Sequence, residues 1–159
     1  MGTPKQIRRK ELPDGFVLET PGHESYLAPI RAIVADLART VGFDDQEIAK
    51  IEIAVGEACT NVVKHAYAPG EEWCWRHRDP QIRLQVRSEN DRLVIEINDH
   101  GQRFDFASYR PTEIDHRLRE MNATGYGIAI IRRFMDEVQY SSNDQTGNTL
   151  RMVKYLKKP

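Results

Sequence analysis

The stretch EIAVGEACTNVVKHAY, residues 52–67, decides the fold, because it combines an apolar stripe with a polar one. Its apolar residues recur every three or four positions, which predicts a helix from about residue 45 to 67. Glu57, Asn61 and His65 are spaced by four, so they share one face of that helix. Such a face is either solvated or lines a pocket. In a pocket, a carboxylate and an amide at this spacing can hold a hard cation and orient a hydroxyl or water.

The elements on either side of this helix indicate the fold class. Further strands and helices are predicted at about residues 16–19 (strand), 24–41 (helix), 81–88 and 91–99 (strands), 128–135 (helix), 137–142 and 149–156 (strands). Strand pairs with no helix between them favour a mixed, mostly antiparallel sheet. With the helices on one face of that sheet, the predicted class is α+β, a two-layer α/β sandwich.

Length and composition limit the remaining possibilities. A chain of 159 residues predicts a single domain, 14–159, and the polar, basic composition of residues 1–13 predicts an N-terminal arm. Its 23 basic and 24 acidic residues give a net charge of -1, which argues against a direct nucleic-acid binder. No apolar run approaches the roughly 20 residues of a membrane helix. Two cysteines, Cys59 and Cys74, are too few for a disulfide framework and are typical of a cytoplasmic protein with reduced thiols.

Two glycine-containing motifs could bind a ligand. Asp99 and Gly101 end an apolar strand; this is either a plain turn or a carboxylate that accepts a hydrogen bond from a ligand amine. Thr124, Gly125 and Gly127 precede the third helix, whose free N–H groups suit phosphate oxygens unless the segment is only a loop junction. The spacing matches neither a Walker A loop nor a dinucleotide-binding fingerprint.

Taken in order, four segments resemble the GHKL (histidine-kinase-like) ATPase superfamily and, within it, the anti-sigma-factor serine/threonine kinases. The resemblance covers roughly residues 16–156 and rests on EIAVGEACTNVVKHAY, VIEINDHGQRFDF, ATGYGIAIIRRFMDEV and GNTLRMVKYL. The family motifs fall on Glu57, Asn61 and His65, on Asp99 and Gly101, on Gly125 and Gly127, and on Gly147 and Thr149.

The resemblance implies ATP and Mg²⁺ as cofactors. Asp99 would read the adenine amino group, helped by Thr149, and Asn61 would be the ligand of Mg²⁺. Glu57 would be the catalytic carboxylate, which accepts the proton of the attacking hydroxyl. The rest of the implied nucleotide-binding set is His65, Gly101, Thr124, Gly125 and Gly127, with a mobile ATP lid at about 102–124.

The same resemblance implies a function. It predicts a homodimer that sequesters a sigma factor and phosphorylates an anti-anti-sigma protein of the STAS type. Two alternatives stay open: a non-catalytic, nucleotide-binding switch, and a simple ATPase in which Glu57 activates water. The intact Glu57 argues against the switch, because a protein that transfers no phosphate has no need for that carboxylate.

Two features depart from the resemblance. Close relatives often carry an arginine just before the Gly-x-Gly motif, where this chain has Ala123; Arg119 or Arg117 could replace it. The loop at 68–80 is long and contains Trp73 and Trp75, which either cover the edge of the sheet or contact a partner. Neither departure changes the predicted catalytic set.

Overall fold

The computed structural model describes residues 15–66, 81–103, 106 and 126–157. Within these ranges the strands are β1 (Phe16–Pro21), β2 (Gln81–Glu89), β3 (Arg92–Asp99), β4 (Glu137–Asn143) and β5 (Gly147–Tyr155). The helices are α1 (Leu27–Val41), which follows a 3₁₀ turn at Glu24–Tyr26, α2 (Asp45–Asn61) and α3 (Gly127–Phe134). The strand and helix order predicted from the sequence is confirmed.

The strands form one sheet in the order β1-β2-β3-β5-β4. Every pairing among these described strands is antiparallel, so this part of the sheet is not mixed. Tight connections explain this, because short turns between β2 and β3 and between β4 and β5 can join only antiparallel neighbours. The α+β sandwich itself is confirmed.

The helices pack on one face of the sheet through their apolar stripes. Fully buried residues of α1 and α2 meet those of the central strands in one core, which includes Ile30, Val34, Ile51, Val55, Leu84, Ile95 and Met152. α2 contacts both α1 and α3, so it is the middle helix of the layer. Its start is fixed by Asp44, whose Oδ1 accepts a hydrogen bond from the Glu47 N–H at 2.8 Å.

Regular α-helical geometry in α2 ends earlier than the sequence predicts. The helix stops at Asn61 and continues as a π-helical turn at Val62–Ala66, and Tyr67 lies outside the described residues. π-Turns within helices are frequent at functional sites. Asn61 is therefore the last residue of the regular helix.

A buried carboxylate ties the start of α2 to the sheet. Glu47 is only 2% exposed. The Nζ atoms of Lys50 and Lys157 each lie 2.8 Å from its Oε1, and Lys154 Nζ lies 2.9 Å from its Oε2. Lys154 also donates to the Phe134 carbonyl at 2.8 Å, which links the end of α3. The hydrogen bonds from Lys157, Lys50 and Lys154 outweigh burial and lower the pKa of Glu47 to about 2.

Candidate functional site

An open cleft with about 570 Å³ of empty space lies between the helix layer and the ends of the central strands. Its lining is mostly apolar: Ala58, Val62, Ile97, Phe106, Ile128, Ile131, Tyr140 and Leu150, with the polar residues Asn61, Asp99, Gln102 and Arg103. An apolar cleft with few convergent polar groups is typical of a small-molecule site.

Asp99 is the buried acid of this cleft. It ends β3 and is 7% exposed. Its Oδ1 accepts hydrogen bonds from the Gly101 N–H and from Asn148 Nδ2, both at 2.8 Å. Burial raises the pKa of Asp99, and these two bonds only partly oppose that shift. Both bonds that Asp99 receives from described residues fall on Oδ1, so Oδ2 can accept one from a ligand amine.

Asn148 is a site residue that the sequence analysis missed. It is 2% exposed, and its Nδ2 also donates to the carbonyls of Gly101 at 3.0 Å and Gln102 at 3.2 Å. Its Oδ1 accepts from Ser142 Oγ at 2.7 Å, which fixes the orientation of the amide. Asn148 therefore holds both the Asp99 carboxylate and the start of the following loop. The available signal was strand alternation, because positions 148 and 150 point to the same face of β5.

Thr149 does not reach the cleft. Its Oγ1 accepts a hydrogen bond from Asn98 Nδ2 at 2.6 Å, and the two residues are partners in the β3–β5 register. Asn98 lies between the cleft-lining residues Ile97 and Asp99, and Thr149 directly precedes the cleft-lining Leu150. Because successive residues of a strand point to opposite faces, Asn98 and Thr149 lie on the other face of the sheet. Thr149 is not among the residues that line the cleft, so its predicted help at the adenine stays a prediction.

Gly147 allows β5 to start directly against the end of β3. It has a φ of 77°, and a Cβ there would overlap the Asp99 carbonyl oxygen and the His100 ring. A residue with a side chain would be both strained and obstructed. The glycine of this motif thus brings Asn148 to Asp99.

We expect Asn148→Leu to weaken ATP binding about tenfold, because it removes a hydrogen bond to a buried carboxylate and leaves two carbonyls without their donor. Thr149→Val, the matched control, should change the affinity less than about twofold. Titration with a fluorescent ATP analogue measures both. The reverse order of effects would restore Thr149 to the site and remove Asn148 from it.

The polar face of α2 meets the first turn of α3. Gly127 opens α3 and is buried; a Cβ added to it would lie 3.0 Å from Glu57 Oε2 and 3.2 Å from both Oδ1 and Nδ2 of Asn61. Glu57 and Asn61 are half-buried and face another helix, so the pocket interpretation of this face is favoured over the solvated one. Tyr126, at the N-cap of α3, makes no side-chain capping bond, so the first-turn N–H groups can bind an anion.

The described residues thus bring Glu57, Asn61 and Gly127 together beside the cleft, whose lining includes Asn61 and Asp99, and Gly101 is hydrogen-bonded to Asp99. His65 falls in the π-turn, and its side chain lies outside the described part of the chain. The following also lie outside it: Thr124, Gly125, Ala123, Arg117, Arg119, the arm at 1–13, the loop at 68–80 and most of the predicted lid.

Comparison with known proteins assigns the fold. Residues 20–154 match the profile of the histidine kinase-like ATPase domain. The chain belongs to the histidine kinase-like ATPase family. The resemblance found in the sequence is therefore confirmed, and so is the use of a nucleotide, which this family implies.

The relatives of this histidine kinase-like ATPase include serine-protein kinases. The serine-protein kinase RsbW of Bacillus cereus (strain G9842) is 31% identical over 145 residues, which cover 89% of this chain and 84% of the relative. In the SiaB–SiaC complex from Pseudomonas aeruginosa, one chain matches with a TM-score of 0.65 and 16% identity, over 92% of this chain and 90% of that one.

A Mycobacterium tuberculosis structure of RsbU and RsbW domains matches with a TM-score of 0.60 and 18% identity. The match covers 91% of this ATPase but only 33% of that longer chain. At such identities the two structures support the fold alone.

No helix within the described ranges is long and apolar enough to cross a membrane.

Proposed function

We propose that this protein is an anti-sigma factor and an ATP-dependent serine/threonine-protein kinase. The observation that carries the proposal is the pairing of Glu57 and Asn61 with Gly127, at the open N-terminal turn of α3, in the same cleft region as the buried Asp99. The serine-protein kinases related to this chain support the same activity.

ATP fits the cleft in one direction. Asp99 Oδ2 accepts a hydrogen bond from the amino group of adenine, and the apolar lining packs against the base. The phosphates then reach the first turn of α3, where uncapped N–H groups and the helix dipole favour negative charge. Gly127 keeps this turn close to Glu57 and Asn61, because it has no side chain to separate the helices.

Mg²⁺ fits the donors of this region. Asn61 offers a side-chain amide oxygen, and among the described residues no group of three or more His, Cys, Asp or Glu could hold a metal ion alone. Mg²⁺ is commonly bound by one or two side chains together with substrate phosphates, and it keeps several waters. We therefore assign Asn61 as its protein ligand. When bound, the ion neutralises charge on the phosphates.

Glu57 is the group that handles the proton. The hydroxyl oxygen of the partner's serine or threonine forms a bond to the γ-phosphorus as the bond to the ADP oxygen breaks. Glu57 accepts the hydroxyl proton during this transfer. Most of the catalysis comes from positioning and charge stabilisation, so Glu57 acts on rate more than on nucleotide affinity.

The proposed partners are a sigma factor, which the protein sequesters, and an anti-anti-sigma protein of the STAS type, which it phosphorylates. We also propose a cytoplasmic homodimer that pairs through the sheet face without described helices. That face carries alternating charges, with Arg87 3.0 Å from Glu96 and Arg151 3.6 Å from Glu137. Alternating charges of this kind can be self-complementary across a two-fold axis.

Phosphotransfer with labelled ATP and Mg²⁺ tests the proposal. The protein is offered a panel of STAS-type domains from its own genome, and we expect label on a serine or threonine of one of them. ATP binding without transfer to any domain would contradict the kinase for that panel and favour the switch. Release of labelled phosphate with no protein labelled would favour the simple ATPase.

A further inference from the structure

Three side chains from separate parts of the chain meet at one wall of the cleft. Phe106 and Tyr140 line it, and Arg132 of α3 contacts Phe106. The two rings are nearly parallel: their centroids are 5.8 Å apart and the angle between their planes is 17°. Aromatic pairs at this separation stabilise each other when they are offset.

Arg132 holds Phe106 through two contacts of different kinds. Its Cζ lies 4.4 Å from the centroid of the Phe106 ring, which is a cation–π distance. Its Nη2 donates a hydrogen bond to the Phe106 carbonyl at 3.1 Å. One contact fixes the ring and the other fixes the backbone. Phe106 lies seven residues past the end of β3 and belongs to no helix or strand, so side-chain contacts must place it.

We propose that Arg132 is a positioning residue for nucleotide binding: it holds the Phe106 ring against Tyr140, so that the two rings form an apolar wall for the base. This rests on the proposed function, because the base enters the cleft only if Asp99 reads its amino group. Asp99 then selects the edge of the base, while the aromatic wall fixes its position and excludes water. The ligand class is a purine nucleotide.

The test compares single and double variants by titration with a fluorescent ADP analogue. Arg132→Met keeps a long, unbranched side chain but removes the cation–π contact and the hydrogen bond to Phe106. We expect it to bind the analogue about fivefold more weakly. Phe106→Leu should weaken binding about tenfold. The double variant should bind no more weakly than Phe106→Leu alone, because Arg132 acts through Phe106. Arg132→Lys should recover part of the loss, since it keeps the cation but not the planar fork.

Arg133→Met is the matched control, since Arg133 is the next residue of α3 and is exposed. It should leave affinity unchanged. Equal binding by the Arg132→Met and Arg133→Met variants, or simple additivity in the double variant, would overturn this inference alone. A parent protein that binds no nucleotide would overturn the proposed function and this inference with it. If Arg132→Met does not fold, Arg132→Lys against Arg133→Lys makes the same comparison, with about a twofold loss expected only for the former.

Discussion

Replacement of Glu57 by Gln is expected to lower the rate of phosphate transfer by about 100- to 10,000-fold, the range that a positioned general base supplies. The amide has the same shape, so it fits beside Gly127 as the carboxylate does, but it cannot accept the hydroxyl proton. Nucleotide affinity should change less than about twofold, because phosphoryl transfer depends on this group in the transition state and not in the bound ground state. Single-turnover transfer to the partner and ATP titration separate the two effects.

Glu52→Gln is the control for this experiment. Glu52 is a half-buried glutamate of α2 that is five residues from Glu57 and so lies on a different face of the helix, and its variant should transfer phosphate at the parental rate. If Glu57→Gln keeps more than about a tenth of the parental rate, Glu57 is not the general base. If Glu57→Gln lowers ATP affinity as strongly as it lowers the rate, Glu57 serves nucleotide binding, and its proposed role as the proton acceptor is wrong.

Replacement of Glu47 by Gln should lower the free energy of unfolding by about 3 kcal/mol, the lower end of the range for breaking a buried ion pair. The variant removes the carboxylate that lies 2.9 Å from the buried Lys154 Nζ and leaves Asp136, at 3.2 Å, as the remaining acidic partner of this lysine. For a domain of this size we expect the melting temperature to fall by roughly 6–12 °C. Urea unfolding followed by circular dichroism measures the free energy directly.

Lys157→Ala is the matched control, because it removes a lysine that contacts the same carboxylate, through Oε1, but is 69% exposed. An exposed partner contributes about 0–1 kcal/mol. The double variant Glu47→Gln, Lys154→Met should recover part of the loss, since the buried lysine is then removed together with its partner. A loss below about 1 kcal/mol in Glu47→Gln would show that the cluster is not a stabilising ion pair.

The free energy of unfolding of the parent protein should also depend on pH, because Glu47 titrates at a different pH in the folded and unfolded states. Its pKa of about 2 in the folded protein lies below the ordinary value of 4.5. The stabilisation is therefore complete above about pH 5 and is lost as the pH falls towards 2. Glu47→Gln should remove this part of the pH dependence, and unfolding curves between pH 2 and 6 would show it. An unchanged acid profile in the variant would assign the titration to other carboxylates.

The sequence was sufficient for features that depend on local pattern. The periodicity of α2 placed Glu57 and Asn61 on one face, and the end of an apolar strand identified Asp99. Features that depend on register or on distant contacts were not accessible. The resemblance pointed to Thr149 and not to Asn148, because the motif does not say which face of β5 each residue occupies. Glu47 and Lys157 are 110 positions apart, and nothing in either segment predicts their contact.

The ion cluster has a mechanical consequence for α2. Glu47 and Glu57 are ten residues apart, which is about 15 Å along the helix. The ion cluster holds the first turn of the helix to the sheet, and Glu57 and Asn61 lie in its last turns. The residues that stabilise α2 are therefore separate from the residues proposed to act on the phosphate. A substitution that strengthens the ion cluster should raise the melting temperature without changing the rate of phosphate transfer at the other end of the helix.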